Sequence, residues 1–189
     1  MFDEILSRKL GVRVVGYDSA PQQINLANKR NLPDNIFKVA DHNTFTTEER
    51  FDAAVSVLVL PYAKNATELT QLFQSAHRHL KDGTKFISAV FNPDFTTFGK
   101  EIGSRIFEKC DDNAVKVRFL TLPDKRVVFS SELNQFSLEE YEQAASSAGF
   151  SNLFRYNLFS DAAGEQSLGV DFWKDIHHFQ PYQLLTALK

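Results

Sequence analysis

Residues 51–63 read FDAAVSVLVLPYA. After Asp52 the run to Leu60 is apolar almost without interruption, which suits a central parallel strand covered on both faces. Helix follows it. Leu69, Leu72, Phe73, Ala76 and Leu80 fall on one stripe of residues 65–80, and Gly83 is read as the stop. Residues 84–91 are the next strand. Upstream, VRVVGY (12–17) is a β-branched strand, and Asp18-Ser19-Ala20-Pro21 is a turn that opens a helix carrying Ile24, Leu26 and Ala27. Ser19 is the candidate cap there, and Pro21 suits a first helical turn. A short strand over 36–39 runs into Ala40-Asp41. Residues 2–10 read as a further helix, with Phe2, Ile5, Leu6 and Leu10 on one face and Gly11 taking the left-handed stop. The order α-β-α-β-β-α-β is that of a doubly wound α/β sheet.

The second half changes character. A helix is expected near 94–109. Two β-rich runs, 115–122 and 126–133, flank Pro123-Asp124-Lys125, so an antiparallel hairpin inserted over 113–135 is expected. Ser137-Leu138-Glu139-Glu140 is a capping box, and its helix ends at Gly149. A strand at 153–159, a helical turn at 169–175 and a last strand at 182–188 complete a single domain over 1–189.

With 189 residues, 43% of them hydrophobic, the chain can bury a substantial core, and 18 phenylalanines make that core aromatic. A net charge of −3 gives no general attraction for nucleic acid or an anionic membrane. No apolar run approaches the ~20 residues of a membrane span. The single cysteine, Cys110, cannot form an intrachain disulfide. Together these lead to the expectation of a soluble, cytoplasmic protein.

Ligands of open parallel α/β sheets bind beyond the carboxyl ends of the strands. Asp18 ends one strand, where a carboxylate can accept hydrogen bonds from both ribose hydroxyls of a nucleoside; a turn or capping aspartate is the equal alternative. Asp41 ends the next strand, where it can accept from an adenine amino group while the His42 backbone N–H meets a ring nitrogen. A plain loop aspartate explains Asp41 alone, but acids at consecutive strand ends are more specific than either. Leu58, Val59, Leu60 and Tyr62 close the apolar strand and offer a floor for the same ligand, although a buried strand already accounts for Leu58 and Leu60.

The runs VRVVGYDSAPQQINLA (12–27), VADHNTF (39–45), FDAAVSVLVLPYA (51–63) and LFQSAHRHLKDGTKFISAVFNP (72–93), then FSLEEYEQAASSAGFSNL (136–153) and GVDFWKDIHHFQPYQLLTALK (169–189), together resemble the class I S-adenosylmethionine-dependent methyltransferase family of small-molecule type. The resemblance covers nearly the whole chain. It implies a Rossmann-like sheet of strand order 3-2-1-4-5-7-6 with an antiparallel last strand. It further implies S-adenosyl-L-methionine as cofactor, a small-molecule acceptor, Asp18 at the cofactor ribose, Asp41 and His42 at adenine, Leu58, Val59, Leu60 and Tyr62 along the cofactor, and Ser19 among the cofactor-binding residues. The family's first strand and its D-x-G-x-G-x-G loop have no counterpart here. The expectation is therefore an N-terminally truncated domain, missing a central strand between 12–17 and 51–60, that binds cofactor poorly unless extended upstream.

Methyl transfer is an in-line displacement in which positioning supplies much of the rate, so no catalytic residue is obligatory. His177 and His178 are candidate bases set in a loop, with a solvated pair the favoured alternative. His77 and His79 do not share a helix face, and no metal site is expected. Phe91, Asn92, Phe95, Phe98 and Trp173 suit an apolar acceptor pocket, with an aromatic core the stronger account of most of them. The hairpin can be a lid, a homodimer surface or a sheet extension. Two other functions compete: a cofactor-free, methyltransferase-like scaffold, favoured by the absent loop, and a nicotinamide-dependent dehydrogenase, disfavoured by the strand–loop–strand after Gly149.

Overall fold

The computed structural model describes all residues except 1–4, 31, 33 and 111–112. The chain forms two units, Met1–Glu48 and Glu49–Lys189.

The first unit contains α1 (Ile5–Lys9, a π-helical turn), β1 (Val15–Asp18), α2 (Pro21–Lys29) and β2 (Ile36–Val39). Of the helix expected over 2–10, Phe2 lies outside the described residues. Gly11 does take the left-handed stop, at φ +65°, and its N–H donates to the Ser7 carbonyl. β1 and β2 pair in parallel, Val15 opposite Ile36 and Asp18 opposite Val39. Ile24, Leu32 and Phe45 are buried, and Tyr17 stacks on Phe45 at 4.3 Å between ring centroids. Ser19 is not the cap of α2. Ala20 holds that position with no side-chain bond, and the turn is closed by Asp18, whose Oδ1 accepts from the Ala20 N–H at 2.8 Å.

The second unit runs β3 (Phe51–Val57), a 3₁₀ turn (Leu60–Tyr62), α3 (Ala66–His79), β4 (Leu80–Phe91), β5 (Glu101–Ile102), β6 (Arg105–Lys109), β7 (Ala114–Leu120), β8 (Val127–Asn134), α4 (Leu138–Ser147), β9 (Ser151–Asn157), α5 (Ala162–Leu168), α6 (Val170–Phe179) and β10 (Tyr182–Leu188). Its main sheet has the order β3-β4-β10-β9. β3 and β4 are parallel, and β10 is antiparallel to both neighbours, as expected of the last strand. The α/β class read from the sequence holds. Phe86, Val90, Leu185 and Ala187 on one sheet face meet Leu69 and Phe73 of α3 and Tyr141 and Ala144 of α4 in the main core. On the opposite face Val55, Val57, Phe154 and Tyr156 are exposed.

β5 to β8 form a second, antiparallel sheet of four strands. The expected hairpin is its β7–β8 half. The helix expected near 94–109 is absent: Gly99 and Gly103 adopt φ +77° and +61°, which end a helix, and β5 and β6 pair with each other about Gly103 while β6 pairs onward with β7. A second aromatic core of Phe91, Phe95, Phe107, Val115 and Val117 lies under this sheet, with Ile176 and Phe179 of α6 packed against it.

Three further expectations change. The apolar run 51–60 is not one strand, because Leu58 turns left-handed at φ +55° directly after β3, and β3 is the edge of its sheet rather than its centre. Gly83 does not stop α3, which ends at His79; at φ +76° it sits in the bend of β4 and donates to the Lys189 carbonyl. The helical turn expected at 169–175 is the full helix α6, preceded by α5, which Asp161 caps through the Gly164 N–H.

Candidate functional site

In the first unit, Asp18 and Asp41 stand at the carboxyl ends of adjacent parallel strands. β1 ends at Asp18, whose carbonyl accepts from the Ala40 N–H at 3.1 Å. Asp41 follows at once. Its Oδ1 accepts from the N–H groups of Asn43 (2.8 Å) and Thr44 (2.9 Å) and from the Thr44 hydroxyl (3.2 Å). The Thr44 and Asn43 backbone donors hold this carboxyl below its ordinary pKa, so it is anionic at neutral pH. Each carboxylate therefore commits Oδ1 to its own turn. Oδ2 of each has no partner among the described residues. The His42 backbone N–H makes no hydrogen bond among them either, and His42 Nε2 is buried without a partner. Ser19 is exposed beside Asp18. The result is an exposed rim carrying two anionic oxygens and an N–H group, a set able to hold the two hydroxyls and the amino group of a nucleoside. Phosphate would be repelled there.

In the second unit, the residues after β3 separate by role. Leu60 is 1% exposed in the main core, so its side chain cannot face a ligand. Leu58 is half-buried in its left-handed conformation, a strained backbone of the kind that gathers at ligand sites. Val59 and Tyr62 are 46% and 50% exposed. Tyr62 reaches the second sheet, its hydroxyl 2.6 Å from Ser131 Oγ. Asn134 adds a bond from its side chain to the Ala63 carbonyl at 2.7 Å. Gln135 Nε2 lies 2.8–3.1 Å from the carbonyls of Asn92, Pro93 and Phe95 in the loop after β4. The second sheet is thus clamped across the carboxyl ends of β3 and β4, the ligand edge of an α/β sheet.

The remaining candidates sort by packing. Phe91 and Phe95 are core, and Asn92 is buried with its side chain donating to the Gln180 carbonyl. His177 and His178 lie in the last turn of α6, not in a loop. His177 Nε2 accepts from the Ser160 N–H at 2.9 Å and lies 3.0 Å from Ser160 Oγ, so it is neither a solvated ring nor a free base. Trp173 Nε1 donates to the Gly164 carbonyl. Sequence reasoning missed Ser160, because only the fold brings it to a histidine 17 positions away.

A methyltransferase-domain family profile matches residues 1–153. Solved structures of similar fold include the sugar N-methyltransferase KedS8 from a Streptoalloteichus species, with 17% identity, TM-score 0.65, 98% of this chain and 83% of that one. Another is DesVI from Streptomyces venezuelae, with 22% identity, TM-score 0.64, 92% of this chain and 73% of that one. A third is the S-adenosylmethionine-bound CalS10 from Micromonospora echinaspora, an amino pentose methyltransferase, with 18% identity, TM-score 0.65, 94% of this chain and 74% of that one. No curated protein sequence matches the chain. Among the described residues no helix is long and apolar enough to cross a membrane.

Proposed function

Because the chain belongs to the methyltransferase domain family, we propose that it transfers a methyl group from S-adenosylmethionine to a small-molecule acceptor. The observation that carries the cofactor reading is the pair of acids at the ends of β1 and β2, each with an uncommitted Oδ2. Asp18 would hold the ribose hydroxyls. Asp41 and the His42 N–H would hold the adenine edge, with Ser19 beside the ribose. The cofactor brings an electrophilic methyl group on a sulfonium. What the chain contributes is orientation and exclusion of water.

The second sheet supports the acceptor side of this reading. Its clamps through Tyr62, Asn134 and Gln135 set it beyond the carboxyl ends of β3 and β4, where it can cover a bound acceptor. The neighbours described as sugar and amino pentose methyltransferases support small molecules as the acceptor class. Cys110 is exposed and unpaired, in keeping with a cytosolic setting.

The test is calorimetric titration of the protein with S-adenosylmethionine. Saturable one-site binding that Asp18→Ala weakens at least tenfold supports the reading. Absence of binding, or binding indifferent to Asp18, overturns it.

A further inference from the structure

β9 and β4 both end at the edge from which β10 starts, Tyr182 pairing with Phe91 and Gln183 with Asn157. The chain leaving β9 and the last turns of α6 enclose a cavity of about 240 Å³ on that edge. Leu158, Phe159, Trp173, Ile176 and Tyr182 form its apolar wall, and Ser160, His177 and Gln180 are its polar members.

The polar members are already engaged with one another. Ser160 N–H donates to His177 Nε2 at 2.9 Å, and Ser160 Oγ donates to Glu165 at 3.0 Å. Gln180 Oε1 accepts from the Leu158 N–H at 3.2 Å, and its Nε2 donates to the His177 carbonyl at 2.9 Å. The Trp173 indole N–H is spent on Gly164 at 2.9 Å. A ligand entering this cavity meets a lining that is chiefly rings and aliphatic carbon. Trp173 and His177 lie stacked at 24°, and Phe159 presents itself to His177 at 61°. A sugar transferred here would lose hydroxyl hydration with few replacements, at a cost for every unpaired group. A planar apolar ring loses nothing of that kind and gains stacking. A dry apolar cavity of ~150 Å³ holds one benzene ring, so this one has room for one or two fused rings.

We propose that this cavity takes a planar aromatic or similarly apolar ring moiety, which packs against Phe159, Trp173 and His177 and, on the methyltransferase reading, belongs to the acceptor. His177 is part of that wall, its ring held by the Ser160 N–H. The inference rests on the methyltransferase reading and narrows its acceptor class away from unsubstituted amino sugars.

Trp173 is the only tryptophan in the chain, so 5-fluorotryptophan labelling places a single fluorine resonance in the cavity. The protein is titrated with 2-naphthol and, separately, with methyl glucosaminide. The expected result is a saturable fluorine shift with 2-naphthol and none with the glucosaminide at the same concentrations. Phe159→Ala, an exposed position with no part in the core, should weaken the naphthol response about three- to tenfold. Absence of a shift with 2-naphthol overturns the inference, as does an equal or stronger response to the amino sugar, or an affinity unchanged in Phe159→Ala. Cofactor titration on the same sample separates the two claims. Cofactor binding without a naphthol response sinks only the ring pocket, whereas a naphthol response without cofactor binding sinks the methyltransferase reading.

Discussion

Tyr141→Phe should make this protein more stable, and the gain should grow in alkali. Tyr141 sits on α4 with no exposed surface, its ring edge-on to Phe136 at 5.8 Å. Its hydroxyl is buried with no hydrogen-bond partner among the described residues. A hydroxyl in that position costs about 1–3 kcal/mol relative to water. Removing one oxygen leaves little void, so most of that cost should be recovered. For a chain of this size each kcal/mol moves Tm by about 2–4 °C, so a rise of several degrees is expected. Burial, with a smaller contribution from Glu140, drives the phenol's pKa far above its usual value. Above about pH 10 the unfolded chain then releases a proton that the folded chain retains. Stability linked to this group is complete below that pH and falls above it by about 1.4 kcal/mol per pH unit. Phenylalanine has no such loss. Urea midpoints at about pH 8 and about pH 11, with unchanged m-values, measure both effects. A destabilisation of more than about 1 kcal/mol at the lower pH would refute the orphaned hydroxyl. A gap between variants that fails to widen with pH would refute the raised pKa.

Asp18→Ala should lower S-adenosylmethionine affinity on the order of tenfold to a hundredfold in calorimetry, and an unchanged Kd removes Asp18 from the site. Asp41→Asn should keep its loop turn, because one carbonyl oxygen can still accept from Asn43 and Thr44. It then points an amide NH₂ where adenine's amino group needs an acceptor, so the loss should approach that of Asp41→Leu; full affinity in the asparagine variant contradicts the contact. Gln135→Leu should cost about 1–3 kcal/mol by stripping a donor from three carbonyls, and an unaltered thermal midpoint would show that the clamp is idle.

The elements that the sequence revealed are those whose signals are local. α3 shows its stripe at Leu69, Leu72, Phe73 and Ala76, and its cap at Asn65, whose side chain accepts from the Glu68 N–H. The Ser137–Glu140 capping box is present as read. Residues 94–109 mislead because Phe95, Phe98 and Ile102 are spaced as on a helix, while the deciding facts are two left-handed glycines and a strand, β7, that pairs from outside the segment. Leu58 misleads in the same way: nothing in a run of aliphatic residues marks the one that turns left-handed. Asp18 and Asp41 were legible because strand ends can be read from sequence. Their division of labour between Oδ1 and Oδ2 was not, nor was the Ser160–His177 contact, since these depend on coordinates.

The position of β10 sets a timetable for synthesis. It lies between β4 and β9, yet it is translated after both. Some ninety residues separate Phe91 from its partner Tyr182, which at ~5–20 residues per second is roughly 5–20 s of elongation. Through that interval the edge of β4 stays bare, joined after residue 157 by that of β9, with the seven residues that pair with both still to come. Slow codons or a stalled ribosome in that window would prolong the exposure. A chaperone that recognises extended apolar strands would find its client there, before release rather than after it.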